Sequence, residues 1–598
     1  MSKDISKPEQ LITEHIDIWT SAVLAKSTSG RGSSKKYELY GITKLRELIL
    51  ELAVRGKLVP QDADDEPASV LLEKIFQELS VPIKNDNIKK NKPLPKIMES
   101  EKPFNKPKNW EWERFVNLTI STQVGLDRGK AEQSNEFEHI YFKMNNINNS
   151  GGLNWDTLAR VNVSETEKEK YRLYEGDFLF NTRNSQELVG KTCVIRDMPE
   201  EVIIYNNNIM RARISKILPE FLDYWFRSAS GKLLLNELKS STTNVSAIYQ
   251  KKLFTLFCPV APLLEQQRIV AKVDELMLLC DQLEQQTEAS IEAHATLVEV
   301  LLATLTDSAD ANELAQNWAR ISEHFDSLFT TEQSIEALKQ TVLQLAVMGK
   351  LVPQNPEDEP ASVLLEKIAE EKEKLIKEKK IKKQKALLPI TEEEKPFGLP
   401  TGWEWCCLGT LTTIRGGKRL PKGYQLTTEK TPYIYIRVTD MRNGSIRDDD
   451  IHYISEEVQS QISNYIITQD DIYMTIVGAT IGKCGLVPSK FDGMNLTENA
   501  ARIIPFYGVE KNYLFKCLDS SFAQKQFFDK TKQVGVQKMA LNRLSSTKIP
   551  LPPLAEQQRI VAKVDELMAI CDQLKVKLQQ SQETQVQLTD ALVDRALG

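Results

Sequence analysis

A chain of 598 residues is too long for one hydrophobic core and calls for several domains. With 41% hydrophobic residues, a polar start over Met1–Gln10 and no uncharged apolar run of spanning length, the sequence argues against a secretory leader and a membrane anchor and places the protein in the cytoplasm. Eight cysteines with no CxxC suggest neither a disulfide framework nor a zinc cluster, and a net charge of −6 means that any nucleic-acid surface is local or shared with a partner.

Residues 1–41 read as a short helix followed by a Gly/Ser/Lys-rich linker, Ser27–Gly41. Residues 42–108 open with a helix whose Leu45, Leu48 and Leu52 share a face, and Gly56 ends it within LAVRGKLVPQ. Pro67 starts the next helix in DEPASVLLEKI, Asp65–Ile75. The lysine-rich link Lys84–Lys108 reads as a solvated linker or helix face, with a DNA-binding tail as the alternative.

Trp110-Glu111-Trp112 opens a block, 109–262, that mixes short β-type runs with turns. The expected strands are His139–Lys143, Asp177–Phe180, Cys193–Arg196 and Val202–Tyr205, and an expected helix, Pro219–Leu238, closes an α+β module. From Glu265 a 3-4 spacing begins: Ile269, Val273, Leu276, Cys280, Leu283, Thr287, Ser290, His294, Leu297 and Leu301. That pattern predicts a coiled-coil seam on a rod of roughly 60 Å, with His294 as a seam residue rather than a metal ligand or base.

The chain then repeats itself. LAVMGKLVPQ at Leu345–Gln354 matches Leu52–Gln61 in nine of ten positions, and DEPASVLLEKI recurs intact at Asp358–Ile368. Trp403-Glu404-Trp405 repeats the aromatic triplet, and EQQRIVAKVDELM occurs at both Glu265–Met277 and Glu556–Met568. Chance identity runs near one position in sixteen, roughly, so the sequence is a tandem duplication. The second copy comprises a central helical region and a link at Lys372–Lys385 (263–401), a second module (402–554) and a last helix (555–598). Its module offers strands at Tyr433–Val438, Asp471–Ile476 and Ala501–Ile504 and a helix at Lys511–Lys530; its seam runs Ile560, Val564, Leu567, Cys571, Leu574, Leu578, Ser581, Gln585, Leu588 and Leu592. The modules are nearly equal in length yet share little sequence: equivalent frames present different surfaces.

Catalytic signatures are missing. Gly190-Lys191-Thr192 lacks the leading glycine of a phosphate loop, and Gly478–Lys483 is one residue short of it. There is no Asp/Asn-Pro-Pro-aromatic tetrapeptide of an amino-methyltransferase, no acidic nuclease cluster and no HxxxH pair. Each module instead carries basic and amide-rich loops suited to phosphates and base edges. In module one the candidates are Arg128, Lys130, Lys143, Asn145, Asn146, Arg183, Asn184 and Lys191, in loops that include Asn145–Asn149. In module two they are Lys418, Arg419, Lys422, Arg437, Thr439 and Arg442.

Two unlike modules in a pseudo-two-fold frame would read an asymmetric, two-part stretch of duplex DNA, with the rod setting the unread interval. Across essentially the whole chain, the paired LAVxGKLVPQ, DEPASVLLEKI, WEW and EQQRIVAKVDEL blocks resemble the specificity subunits of type I restriction–modification systems. The resemblance implies an α+β fold in which two globular α/β target recognition domains are separated by long antiparallel coiled-coil helices. It implies no catalytic residue, metal or cofactor on this chain. It further implies double-stranded DNA as ligand, and as partners two modification subunits that methylate adenine with S-adenosylmethionine and restriction subunits that use ATP and Mg. Two other readings compete with it: a coiled-coil scaffold with protein- or glycan-binding modules, and a self-sufficient DNA enzyme, which the missing motifs disfavour.

Overall fold

The spaced apolar run that begins near Glu265 folds as one continuous helix, Leu263–Asp307, and its copy as Leu554–Leu597. The computed structural model describes residues 7–25, 37–80, 94–148, 151–241, 245–309, 311–383, 387–529 and 537–598. Outside them lie residues 27–36 of the Gly/Ser/Lys linker, 84–93 and 384–385 of the lysine-rich links, Asn149 and Lys530. The chain forms two units, Met1–Ser290 with Ser581–Gly598, and Ile291–Gln580.

In the first unit, helix Tyr40–Val54 buries Leu45, Leu48 and Leu52, and Arg46 reaches Asp281 (2.7 Å) and Glu284 (2.8 Å) on the long helix. Ile269, Val273, Leu276 and Leu283 are buried there. In the second unit, helix Glu332–Val347 places Leu338, Val342 and Leu345 in one apolar core with Ile560, Val564, Leu567 and Leu574. The lysine of each GKLVPQ block satisfies orphan carbonyls at a long helix's C-terminal end. Lys350 Nζ donates to Thr306 O (2.7 Å) and Ser308 O (2.9 Å), and Lys57 Nζ to Leu597 O (2.5 Å).

The expected seam slips by one residue beyond mid-helix. Leu297 is 49% exposed and Leu588 47% exposed. Val298, Leu302 and Leu305 are buried in place of the first, and Thr589 in place of the second, while Leu592, the last residue of the expected seam, is buried as expected. A straight helix turns every 3.6 residues, so a strict 3.5-residue stripe drifts off the packed face within a few heptads. His294 is half-buried, with Nε2 2.9 Å from the carbonyl of Leu328.

Both modules use one topology. Module one has an antiparallel sheet ordered Thr119–Val124, Ile209–Ile214, Phe178–Asn181, Thr192–Val194; module two matches it with Thr412–Gly416, Ala500–Pro505, Ile472–Thr475, Cys484–Leu486. Register agrees as well: Arg211 faces Gln123 and Leu179, and Arg502 faces Arg415 and Tyr473. A second sheet in each contains a parallel pair, Ile203–Tyr205 with His139–Phe142, and Met494–Leu496 with Tyr433–Ile436. The strand expected at Tyr433–Val438 stops at Ile436, because Val438–Asp440 turns as a 3₁₀ helix.

The expected closing helices are each two. Pro219–Arg227 and Ala229–Leu238 meet at Ser228, whose extended backbone and hydroxyl, accepting from the Gly231 amide (3.1 Å), end one helix and start the next. A Cβ at Gly231 would lie 1.9 Å from the Trp225 carbonyl oxygen, so the tight corner needs glycine. Ser520 divides Lys511–Asp519 from Ser521–Asp529 in the same way.

Candidate nucleic-acid interface

The duplicated blocks meet at the joint that fixes each module to its frame. The indole of Trp110 donates to Glu265 Oε2 (2.9 Å), and that of Trp403 to Glu556 Oε2 (2.9 Å). Arg268 pairs with Asp65, and Arg559 with Asp358 (2.6 Å). Gln266 accepts from the Leu218 amide (3.0 Å) and donates to Ala261 O (2.8 Å); Gln557 does the same with Glu510 (2.8 Å) and Pro552 (3.0 Å). The glycine of LAVxGKLVPQ has positive φ in both copies, and a Cβ on Gly56 or Gly349 would lie 2.5 Å from Pro107 or Pro400. The repeated residues therefore bond to one another, which accounts for their identity across copies. Burial pushes the carboxyls of Glu265 and Glu556 above the usual range.

Outside the joint, the candidate readers fall into two groups. Lys130, Asn145 and Arg183 in module one, and Lys418, Lys422 and Arg442 in module two, are exposed. Among the described residues none of their side chains meets a carboxylate; the Lys418 ammonium instead lies 5.4 Å from the centre of the Tyr465 ring. Arg419 is exposed but paired with Glu498 (2.9 Å), and Thr439 is exposed beside Asp440 (3.4 Å).

The others serve the fold. Asn146 is fully buried: its Oδ1 accepts from the Lys143 amide (2.8 Å), and its Nδ2 donates to the carbonyls of Asn154 and Thr157 (3.0 Å each). Its hydrogen-bonding groups are committed, so it does not present an amide to adenine. Arg437 is bound by Asp440 (2.6 Å) and Asp450 (2.8 Å), which hold its pKa above the ordinary value. Arg128 is held by Glu167 (2.8 Å), Lys143 by Gln133 (2.9 Å), and Asn184 by the Ser185 amide (2.9 Å). Lys191 points inward to the Ile147 carbonyl (3.2 Å), and burial lowers its pKa. Motif composition cannot separate these residues from true surface cations, because polar turns recruit the same side chains.

Comparison with known proteins decides the family. The family model described as "Type I restriction modification DNA specificity domain" matches twice, over residues 127–293 and 400–583. The type I restriction enzyme EcoAI specificity subunit of Escherichia coli is 40% identical over 99% of this chain and 100% of its own length. The chain belongs to the type I restriction–modification specificity subunits.

The EcoEI specificity subunit of Escherichia coli is 39% identical over the same shares of both chains. A solved structure described as "Structural basis underlying complex assembly and conformational transition of the type I R-M system" shares the fold, with TM-score 0.51 at 18% identity over 83% of this chain and 99% of that one. As a specificity subunit the protein is a non-catalytic component with two recognition domains. One of its helices, Leu263–Asp307, is long and apolar enough to cross a membrane by length and composition, with mean hydropathy 1.2 over its best stretch. Its Val298, Leu302 and Leu305 pack in the second unit's core.

Sequence reading missed Tyr141 and Tyr435, whose hydroxyls donate to the Leu126 and Lys418 carbonyls at 2.7 Å in equivalent places. It also missed Tyr465 and Arg502, which with Arg415, the first residue of the basic loop Arg415–Gly423, line a cleft in module two. Pairing tyrosines and arginines between the copies would have found Tyr141 with Tyr435, Tyr171 with Tyr465 and Arg211 with Arg502, but not Arg415, whose counterpart is Gln123.

Proposed function

We propose that this chain is the DNA-reading subunit of a type I restriction–modification complex, with 109–262 and 402–554 each reading one half of an asymmetric bipartite target. The observation that carries this reading is the pairing of one module fold and one joint with two different sets of exposed cations: Lys130 and Arg183 in one module, Lys418, Lys422 and Arg442 in the other. Arginine and lysine in such positions hold phosphates or reach guanine edges. Unlike sets on like scaffolds suit unlike half-sites.

In this reading the two long helices set the number of unread base pairs. The frame recruits two modification subunits, which use S-adenosylmethionine to methylate adenine, and restriction subunits, which use ATP and Mg. This chain binds neither cofactor and works in the cytoplasm. The test is a map of methylated adenines in DNA from cells that express the chain with its modification subunit. A two-part motif with unlike halves is the expected result; a palindrome, or no defined motif, would refute the assignment.

A further inference from the structure

The two modules superimpose in hydrogen bonding around one strand pair, and one position differs in a telling way. Arg211 Nη1 donates to the carbonyl that follows Tyr171 (Arg172 O, 2.6 Å), and Arg502 Nη1 to the carbonyl that follows Tyr465 (Ile466 O, 2.5 Å). The amides of Leu126 and Lys418 donate to the carbonyls of Tyr205 and Leu496, both at 2.8 Å. Leu496 is thus the counterpart of Tyr205.

In module one the Tyr205 ring is fully buried. It stands edge-on to Tyr171 (6.4 Å between centroids), lies 5.7 Å from the Arg211 guanidinium, and donates its hydroxyl to the Gln123 carbonyl (2.9 Å). Module two has no ring here. Leucine leaves a cleft open to solvent, walled by Tyr465, Arg502, Arg415 and Asn464 over the glycine pair Gly416-Gly417. Arg415 is exposed, its guanidinium steered by the Lys380 carbonyl (3.2 Å), and Lys418 sits over Tyr465. Among the described residues no carboxylate pairs with Arg415 or Lys418.

We propose that this cleft binds one nucleotide, its base lying between Tyr465 and Arg502 where module one holds the Tyr205 ring, and its phosphate meeting Arg415 and Lys418. Each part of the cleft matches a part of that ligand. A base there meets tyrosine edge-to-face, as the Tyr205 ring meets Tyr171, and lies against a guanidinium. The carbonyl of Arg415 corresponds to the one that accepts the Tyr205 hydroxyl, and so faces an exocyclic amino group. The two cations take the phosphate. The inference rests on the DNA-reading assignment of module two and adds to it residues that contact an unstacked nucleotide, whether free or part of a strand.

The test uses the full chain and Leu496→Tyr, which restores the side chain that module one carries. Deoxyadenosine monophosphate, a duplex with one unpaired adenosine and its fully paired control are titrated in turn. The unsubstituted chain should bind the mononucleotide and favour the unpaired duplex over the control. Leu496→Tyr should keep its melting temperature and weaken both effects about tenfold or more. Tyr465→Leu should do likewise and serves if the first variant does not fold. Mononucleotide binding without duplex preference would identify free nucleotide as the source. No mononucleotide binding together with equal affinity for both duplexes, or binding unchanged in both variants, would overturn the proposal. Target methylation by the assembled complex is scored separately: if it persists while the cleft binds nothing, the cleft assignment alone falls.

Discussion

Trp110 donates its indole N–H to the buried carboxylate of Glu265, 155 residues further along the chain, and this bond fixes module one to its frame. Replacing Glu265 with alanine orphans the buried indole N–H and removes one of two acceptors of the exposed Gln61 amide, which keeps Gly56 O (3.1 Å). An unsatisfied buried donor costs about 1–3 kcal/mol, so Glu265→Ala should lower the stability of the first unit by that much, read from its urea midpoint, while Glu265→Gln, which keeps an acceptor for Trp110, should lose less.

The same carboxyl gives a pH signature. Burial raises the pKa of Glu265, so the folded state holds its proton to higher pH than the unfolded chain does. The stability it confers is full below the unfolded carboxyl's pKa and falls as pH rises through the folded value. Urea midpoints measured upward from about pH 4, near the unfolded carboxyl's pKa, should therefore decline more for the unsubstituted chain than for Glu265→Gln. Parallel curves would show that this carboxyl is not desolvated.

Exposed and buried cations should separate experimentally. Lys418→Ala with Lys422→Ala should weaken DNA binding and reduce the slope of log K against log salt by about 0.9 for each phosphate no longer neutralised, with the melting temperature unchanged. Asn146→Ala should instead destabilise module one by about 2–4 kcal/mol, because it strands buried partners, and Arg437→Ala should lower the melting temperature of module two, because Asp440 loses its partner. The measurements are salt-dependent binding isotherms and thermal melts on the same preparations.

Gly349 offers a test of the joint in the second unit. Its φ of 70° and the 2.5 Å approach to Pro400 both oppose a Cβ. Gly349→Ala should cost about 1–2 kcal/mol from conformation alone, more with the clash, read as a lowered denaturation midpoint.

The frame was legible in the sequence because its identical blocks bond to one another: Asp65 to Arg268, Trp110 to Glu265, and the same pairs in the second copy. The kinship of the modules was not, since backbone register preserves it while side chains differ, as with Gln123 and Arg415 facing equivalent arginines. Leu297 and Leu588 fit a heptad on paper, but the packed face of a long helix drifts away from them. Asn146 and Arg437 have the chemistry of base readers, yet Asn146 closes a 3₁₀ turn and the Arg437 side chain is held by Asp440 and Asp450. Residue type does not tell a committed polar group from a free one; the neighbours brought by the fold do.

The most direct test replaces Trp110–Pro259 with the corresponding module of a relative that reads another target, then maps methylated adenines. One half of the methylated motif should change while the other half and the unread interval stay the same. A motif that is unchanged, or altered in both halves at once, would contradict it.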